Sequence, residues 1–230
     1  LGYSHIDTAH NYDNQPSVAK ALKGRVRDEV FITSKVMLSQ GDPYDICEIN
    51  LKELSVDFLD LYLIHWPDRS QNMYEVVDKM ERLKQKGKIL RYGVSNFTIS
   101  HLQDMINMGA QMYANQVEFH PYLDQKELHE FCQKNSIELI AYRPLGKGAL
   151  LGDPVIREIA ETIGKSPSQV LLRWQIQKRV PFVVKASTEE RLKENYNIDD
   201  FVLTDVQMKK IEALNRGHRF CDASWSDFEY

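Results

Sequence analysis

Seven short apolar runs, each followed by an amphipathic helical pattern, constrain the fold of this chain more than anything else in it. The runs read SHIDTA, EVFITSKV, FLDLYLIHW, RYGVSNF, ANQVEFH, ELIAYRP and PFVVKAS, ending near Ala9, Val36, Trp66, Asn96, His120, Pro144 and Ser187. Most are rich in Val, Ile, Leu, Tyr and Phe, as in strands covered on both faces. Between and after them lie the helices. Asp42-Pro43 opens one through Ile46, Ile49, Leu51 and Leu54, with an acid as cap and proline in the first turn. Met73, Val76, Val77, Met80 and Leu83 form a stripe closed at Gly87, and Leu102, Met105 and Ile106 form another ending near Gly109. Asp124-x-x-Glu127 opens a helix carrying Leu128, Phe131 and Cys132, and Pro154 to Ile163 makes the next. Ser166-Pro167-Ser168-Gln169, Ser187-x-x-Glu190 and Thr204-x-x-Gln207 read as capped starts.

Strand–helix alternation of this kind builds a parallel sheet. An open doubly wound sheet and a closed (β/α)8 barrel both use it. The doubly wound form wants a GxGxxG turn after an early strand, and the chain has none. The expected fold class is therefore α/β, a (β/α)8 TIM barrel in one domain spanning residues 1–230. The chain opens on what reads as a helix end, so the first β/α unit is expected to be absent and the domain N-terminally incomplete. Its 230 residues, against about 250 for a typical barrel, agree with that.

Composition narrows the function. With 43% hydrophobic and 27% charged residues and a net charge of −4, the chain is ordinary for a globular protein and has no basic excess to recruit nucleic acid or an anionic membrane. No apolar run approaches the roughly 18 residues of a membrane span. Cys47, Cys132 and Cys221 fit neither a disulfide framework nor a CxxC metal site, so a reducing, cytoplasmic setting is expected.

A barrel builds its site from strand C-termini and the loops after them. At those ends stand Asp7, Lys35, His65, Ser95-Asn96, Gln116, Tyr142 and Lys185. Each alone has a plain structural explanation. Asp7 could cap its turn, Lys35 could be a solvated strand end, His65 could be a satisfied core histidine, and Tyr12 could be a loop aromatic. As a set they form an acid–base group. Asp7 can pair with Lys35, and an ammonium beside the Tyr12 phenol eases loss of its proton. Such a tyrosine can protonate a carbonyl oxygen as hydride reaches the carbon, with His65 holding that oxygen.

The stretches GYSHIDTAHNYDN, FITSKV, LYLIHWP, YGVSNF, NQVEFHPY, AYRPLGKG and VVKASTEERLKEN span the chain and together resemble the aldo-keto reductases, NADPH-dependent carbonyl reductases on a (β/α)8 barrel. The resemblance implies Tyr12 as general acid, tuned by Lys35 and Asp7, with His65 orienting a small-molecule carbonyl substrate. It implies Ser95, Asn96 and Gln116 at the nicotinamide carboxamide, Tyr142 stacked on its ring, and Asp7 and Leu145 also lining the cofactor. It further implies Lys185, Ala186, Ser187, Arg191, Glu194 and Asn195 around the adenosine 2′-phosphate and adenine. Lys185 precedes a capped helix whose N–H groups favour an anion, which agrees independently. Trp66 and Trp225 join Tyr12 and His65 as substrate contacts. NADPH is the expected cofactor, NADH a possible second, with no metal and a monomeric chain.

Several positions depart from the family pattern. Ala186 stands where a hydroxyl residue is common, which implies weaker NADPH affinity or some relaxation toward NADH. Arg143 replaces a small residue in AYxPLG and brings a charge toward the pyrophosphate or the substrate mouth. Gln15 replaces a common Glu, with little effect expected. The connection Asp68 to Asn72 is short, implying an open pocket, and the tail with Trp225, Phe228 and Tyr230 either covers the pocket or packs on the barrel wall. Two rivals remain. A barrel metal hydrolase would use His5, Asp7, Lys35, His65 and His120, and a cofactor-binding module without catalysis would need no Tyr12.

Overall fold

The computed structural model describes residues 1–223 and 225–230. Its strands are β1 (His5–Asp7), β2 (Phe31–Val36), β3 (Leu59–Ile64), β4 (Ile89–Ser95), β5 (Ala114–Glu118), β6 (Glu138–Tyr142) and β7 (Phe182–Val183). Sheet order follows chain order from β1 to β7, and β1–β2, β2–β3, β3–β4 and β6–β7 pair in parallel. The helices are α1 (Gln15–Leu22), α2 (Pro43–Leu54), α3 (Met73–Gln85), α4 (Ile99–Asn107), α5 (Lys126–Lys134), α6 (Pro154–Ile163), α7 (Pro167–Gln177), α8 (Glu189–Tyr196) and α9 (Asp205–Glu212). The α/β alternation expected from the runs is present, with seven strands among the described residues.

Two compact units make up the chain. The first comprises Gly2–Asn115, Asn135–Glu138 and Trp225–Tyr230; the second comprises Leu1, Gln116–Lys134 and 139–223. In the first, β3 is covered on both faces, and Leu59, Leu61, Tyr62, Leu63 and Ile64 are all wholly buried. Burial of one such leucine stabilises by about 1.5–3 kcal/mol, so this strand is a main anchor. Next to it β4 passes so close to the start of β5 that a Cβ on Gly93 would lie 2.4 Å from the Ala114 carbonyl oxygen. Only glycine allows that approach. Asp42 caps α2 as expected, accepting from Tyr44 N at 2.8 Å with Pro43 in the first turn.

In the second unit Asp153 caps α6 and also accepts from the Tyr122 hydroxyl at 2.6 Å, while Ser166 and Thr204 form the expected capping boxes. Three local expectations are corrected there. The cap of α8 is Thr188, whose Oγ1 accepts from Arg191 N at 3.3 Å, and not Ser187. Adjacent hydroxyls compete for one cap, and the helix begins one residue later than the Ser187-x-x-Glu190 pattern requires. At α5 the Asp124 carboxylate is taken by Lys178 at 3.1 Å instead of serving the helix N-terminus, which starts at Lys126. The seventh strand is only two residues long, because the chain leaves the ladder before Lys185.

Candidate active site

In the first unit the polar groups predicted for one edge of the sheet come from successive strands. Asp7 ends β1, Lys35 is the second-to-last residue of β2, and His65 follows β3 directly. Parallel register aligns them: Asp7 pairs with Thr33, Lys35 with Leu63, and His65 N donates to the Val36 carbonyl at 2.8 Å. Beyond β4, Asn96 takes a left-handed backbone with φ of 66° and donates from Nδ2 to the His65 carbonyl at 2.9 Å. Asparagine tolerates that conformation better than most residues. One side chain thus fastens the end of β4 to the end of β3.

Lys35 is the centre of this arrangement. Its side chain is 1% exposed, and its ammonium donates to Asp7 Oδ1 and to the Thr8 carbonyl, the latter at 3.0 Å. A buried ammonium is tolerated only when paired and hydrogen-bonded, and Asp7 and Thr8 meet that need. The same Nζ lies 5.2 Å from the centre of the Tyr12 ring. Tyr12 ends a short 3-10 turn, His10–Tyr12, closed by Asp13 in a left-handed conformation. Its ring is 47% exposed and meets His65 edge-on, with centroids 5.7 Å apart. The four acid–base candidates therefore stand together, with the phenol facing solvent and the charged pair behind it.

His65 is electrically neutral over the working range. Burial, reinforced by the Lys35 ammonium and opposed by Asp7, depresses its pKa from 6.5 to about 3. Its Nδ1 is buried without a hydrogen-bond partner among the described residues. A neutral imidazole carries one donor and one acceptor, which suits it to hold a carbonyl or hydroxyl oxygen. The same shift has a stability consequence. Between pH 3 and 6.5 the unfolded chain binds a proton at residue 65 that the folded chain refuses. Stability therefore falls as pH drops below the unfolded value, by up to about 1.4 kcal/mol per pH unit for this residue. Burial also lowers His5, His101 and His129, adding in the same direction. Urea unfolding of wild type and His65→Asn from pH 7.5 to 5 is expected to show a shallower acid loss in the variant.

Trp66, next to His65, packs edge-on against Trp225 at 4.7 Å and in a tilted arrangement against Phe228 at 5.5 Å. The tail is fastened by polar contacts as well. Tyr230 accepts from Thr98 Oγ1 at 2.7 Å and donates from its hydroxyl to Asp104 at 2.7 Å, while Asp227 meets His101 Nε2 at 3.2 Å. Trp225 itself is 61% exposed, a large aromatic face beside Trp66. Of the residues named for the metal-hydrolase alternative, His5 is bonded to Thr33 at 2.9 Å, Asp7 to Lys35, and His120 to Glu118 at 2.8 Å.

The second unit carries the remaining predicted residues. Gln116 is buried on β5. Tyr142 ends β6, and burial together with a hydrogen bond to Cys221 pushes its phenol far above the ordinary range, so it acts as a neutral ring. Arg143 follows with a left-handed φ of 54°, its guanidinium 5.8 Å from the Tyr142 ring and its Nη1 buried without a partner among the described residues. Leu145 precedes the irregular turn Gly146–Gly152, in which Lys147 and Gly148 are left-handed. Lys185, Ser187 and Arg191 are exposed and Ala186 half-buried, whereas Asn195 is buried and Glu194 accepts from Ser168. Because Thr188 supplies the cap, the Ser187 hydroxyl is not spent on α8.

Comparison with known proteins settles the family. The aldo/keto reductase family model matches residues 1–216. The chain belongs to the aldo/keto reductase family. It is thereby an oxidoreductase acting on carbonyl groups, in a family that uses NAD(P)H, and its fold class is the (β/α)8 barrel. It is 42% identical over 225 residues to the glyoxal reductase of Bacillus subtilis, covering 95% of this chain and 81% of that protein. Human aldo-keto reductase family 1 member A1 is 35% identical over 260 aligned positions, covering 96% and 80%. The aldose reductase structure from Schistosoma japonicum superposes with a TM-score of 0.87 at 32% identity, covering 94% of this chain and 81% of that one. No helix among the described residues is long and apolar enough to cross a membrane.

Sequence reading overlooked two groups in the first unit. Thr8 is noticed only because its carbonyl receives the Lys35 ammonium. Gln15, read in the sequence only as a replacement of a common Glu with little effect expected, is wholly buried and bonded to two helix residues. A glutamine one residue before a proline carries no periodic signal of burial.

Proposed function

We propose that this reductase converts aldehydes and ketones to alcohols with NADPH, and that Tyr12 delivers the proton. The observation that carries the reading is the buried Lys35 ammonium, paired with Asp7 and 5.2 Å from the Tyr12 ring. Tyr12 gives its hydroxyl proton to the carbonyl oxygen as negative charge develops there, and the ammonium stabilises the phenolate left behind. Asp7 holds the ammonium in place. Neutral His65 orients the substrate oxygen, and Trp66 with Trp225 offers an apolar wall for the rest of the molecule. Bound cofactor supplies the hydride to the carbonyl carbon.

The residues of the second unit suit such a dinucleotide. Lys185, Ser187 and Arg191 form an exposed donor set on one segment, and Arg143 Nη1 lacks a partner among the described residues. Of the residues to which the family resemblance gives cofactor roles, Ser95 and Asn96 belong to the first unit, and Gln116, Tyr142, Leu145, Glu194 and Asn195 to the second. Lys185, Ser187 and Arg191 read the 2′-phosphate, and Ser187 supplies the hydroxyl that Ala186 cannot. Ser187→Ala is then expected to weaken NADPH binding roughly tenfold and leave NADH unchanged, measured by fluorescence titration. An equal loss for both dinucleotides would show that this segment does not read the 2′-phosphate. The substrates are small carbonyl compounds and the working form is a monomer. No disulfide joins Cys47, Cys132 or Cys221, which suits a cytoplasmic setting. Reduction of an aromatic aldehyde by the purified chain with NADPH tests the whole reading, and absence of turnover by well-folded protein would leave a binding module.

A further inference from the structure

The tail Trp225–Tyr230 belongs to the first unit and docks on the start of α4, which is a capping box. Thr98 Oγ1 accepts from His101 N at 3.4 Å, and His101 Nδ1 accepts from Thr98 N at 3.2 Å. The boxes of α7 and α9 carry glutamine at this place, Gln169 and Gln207. At α4 it is a histidine, 5% exposed, with a second ring nitrogen left over once the box is made. That nitrogen, Nε2, lies 3.2 Å from Asp227 Oδ2. A backbone N–H always carries its hydrogen, so Nδ1 is the bare acceptor and the neutral ring holds its proton on Nε2. Burial favours that neutral ring. His101 therefore donates to the Asp227 carboxylate, a charge-assisted bond that the same tautomer makes together with the helix cap. Thr98 is shared in the same way, since its hydroxyl gives its hydrogen to the Tyr230 carbonyl at 2.7 Å.

The loop after β3 completes the dock. Arg69 reaches Asp227 at 3.7 Å and lies 4.0 Å over the Tyr230 ring, and the His101 ring meets Tyr230 at 4.8 Å. Two residues before Asp227 stands Trp225, its ring 4.7 Å from Trp66. At 61% exposure, burial does little to fix Trp225, so its place depends on the anchored residues that follow it. We propose that His101 and Asp227 are a positioning pair that sets Trp225 beside Trp66, and that the pair thereby determines substrate preference without touching substrate. This rests on the reading of Trp66 and Trp225 as an apolar wall beside His65. A flat aromatic aldehyde has a face to lay on such a wall, whereas a short aliphatic aldehyde has almost none.

The test compares wild type, Trp225→Ala, Asp227→Ala, His101→Glu, and His101→Glu combined with Asp227→Asn, all as full chains. Reduction of a nitrobenzaldehyde and of propanal with NADPH is measured beside melting temperature. Glutamate completes a capping box as glutamine does, so His101→Glu keeps the start of α4 and sets a negative charge against Asp227. The other charges near residue 101, Arg69 and Asp104, are the same in the single and the combined variant. Asp227→Ala and His101→Glu are expected to raise KM for the nitrobenzaldehyde about fivefold to tenfold, with KM for propanal and both kcat values within about twofold of wild type. Adding Asp227→Asn to His101→Glu is expected to return that KM to within about threefold of wild type, because the amide donates to the new carboxylate. A residue that only stabilised α4 would show no such recovery, and Asp227→Ala decides the matter if His101→Glu fails to fold. A wild-type nitrobenzaldehyde KM in Asp227→Ala, an equal rise for both aldehydes, or no recovery in the well-folded combined variant overturns the positioning pair where Trp225→Ala still raises that KM. A wild-type nitrobenzaldehyde KM in Trp225→Ala overturns the reading of Trp225 as a substrate contact, and the proposal with it.

Discussion

Tyr12→Phe is expected to reduce aldehydes about 10²–10⁴ times more slowly than wild type while melting at nearly the same temperature. The magnitude follows from losing a positioned general acid, with water left to protonate the developing alkoxide. Stability should hold because Tyr12 is 47% exposed and phenylalanine keeps the edge contact with His65. NADPH affinity should hold as well, since the variant removes one oxygen atom and no charge. The informative measurement is therefore kcat at saturating cofactor with thermal unfolding on the same preparation. A variant that retains wild-type kcat would remove Tyr12 from the proton path and leave His65 as the next group to examine.

Lys35→Met carries the largest expected stability effect. Lys35 is 1% exposed and Asp7 11% exposed, so the substitution leaves a mostly buried carboxylate without its counter-ion and the Thr8 carbonyl without its donor. Breaking a buried pair from one side costs about 3–5 kcal/mol. For a chain of this size that corresponds to a fall in Tm of roughly 6–20 °C. The double variant Asp7→Asn with Lys35→Met should regain part of that loss, because no buried charge remains. It should not regain activity, because the cation behind Tyr12 is gone. Non-additive stability with additive or complete loss of turnover is the signature to look for. If Lys35→Met melts like wild type, the ammonium is better solvated than its burial implies.

Much of this protein could be read before folding. The strands were found because apolar runs between amphipathic stripes reflect burial on two faces, and β3 is buried on both. Asp7, Lys35, His65 and Ser95-Asn96 stood out as polar residues interrupting those runs at their ends. Helix starts at Asp42, Ser166 and Thr204 were legible because a cap and its partner lie within three residues of each other. The Ser187 cap failed by one residue, since Ser187 and Thr188 offer the same chemistry and only the geometry of α8 chooses between them. Asp124 failed because Lys178, 54 residues away, competes for its carboxylate.

Sequence alone thus determined what depends on neighbours along the chain: strand and helix content, most caps, the parallel order, and which polar residues stand at the strand ends. Tertiary structure alone decided what depends on partners far apart. Gln15 meets Asn50 and Glu53 across 35 and 38 residues, and the tail meets Thr98 and His101 across 132 and 126. Local periodicity records which face of an element is buried, but not which group waits on the other side. The hydrogen bonds of a buried amide are set by that second fact, so Gln15 looked incidental in the sequence and is a hub in the fold.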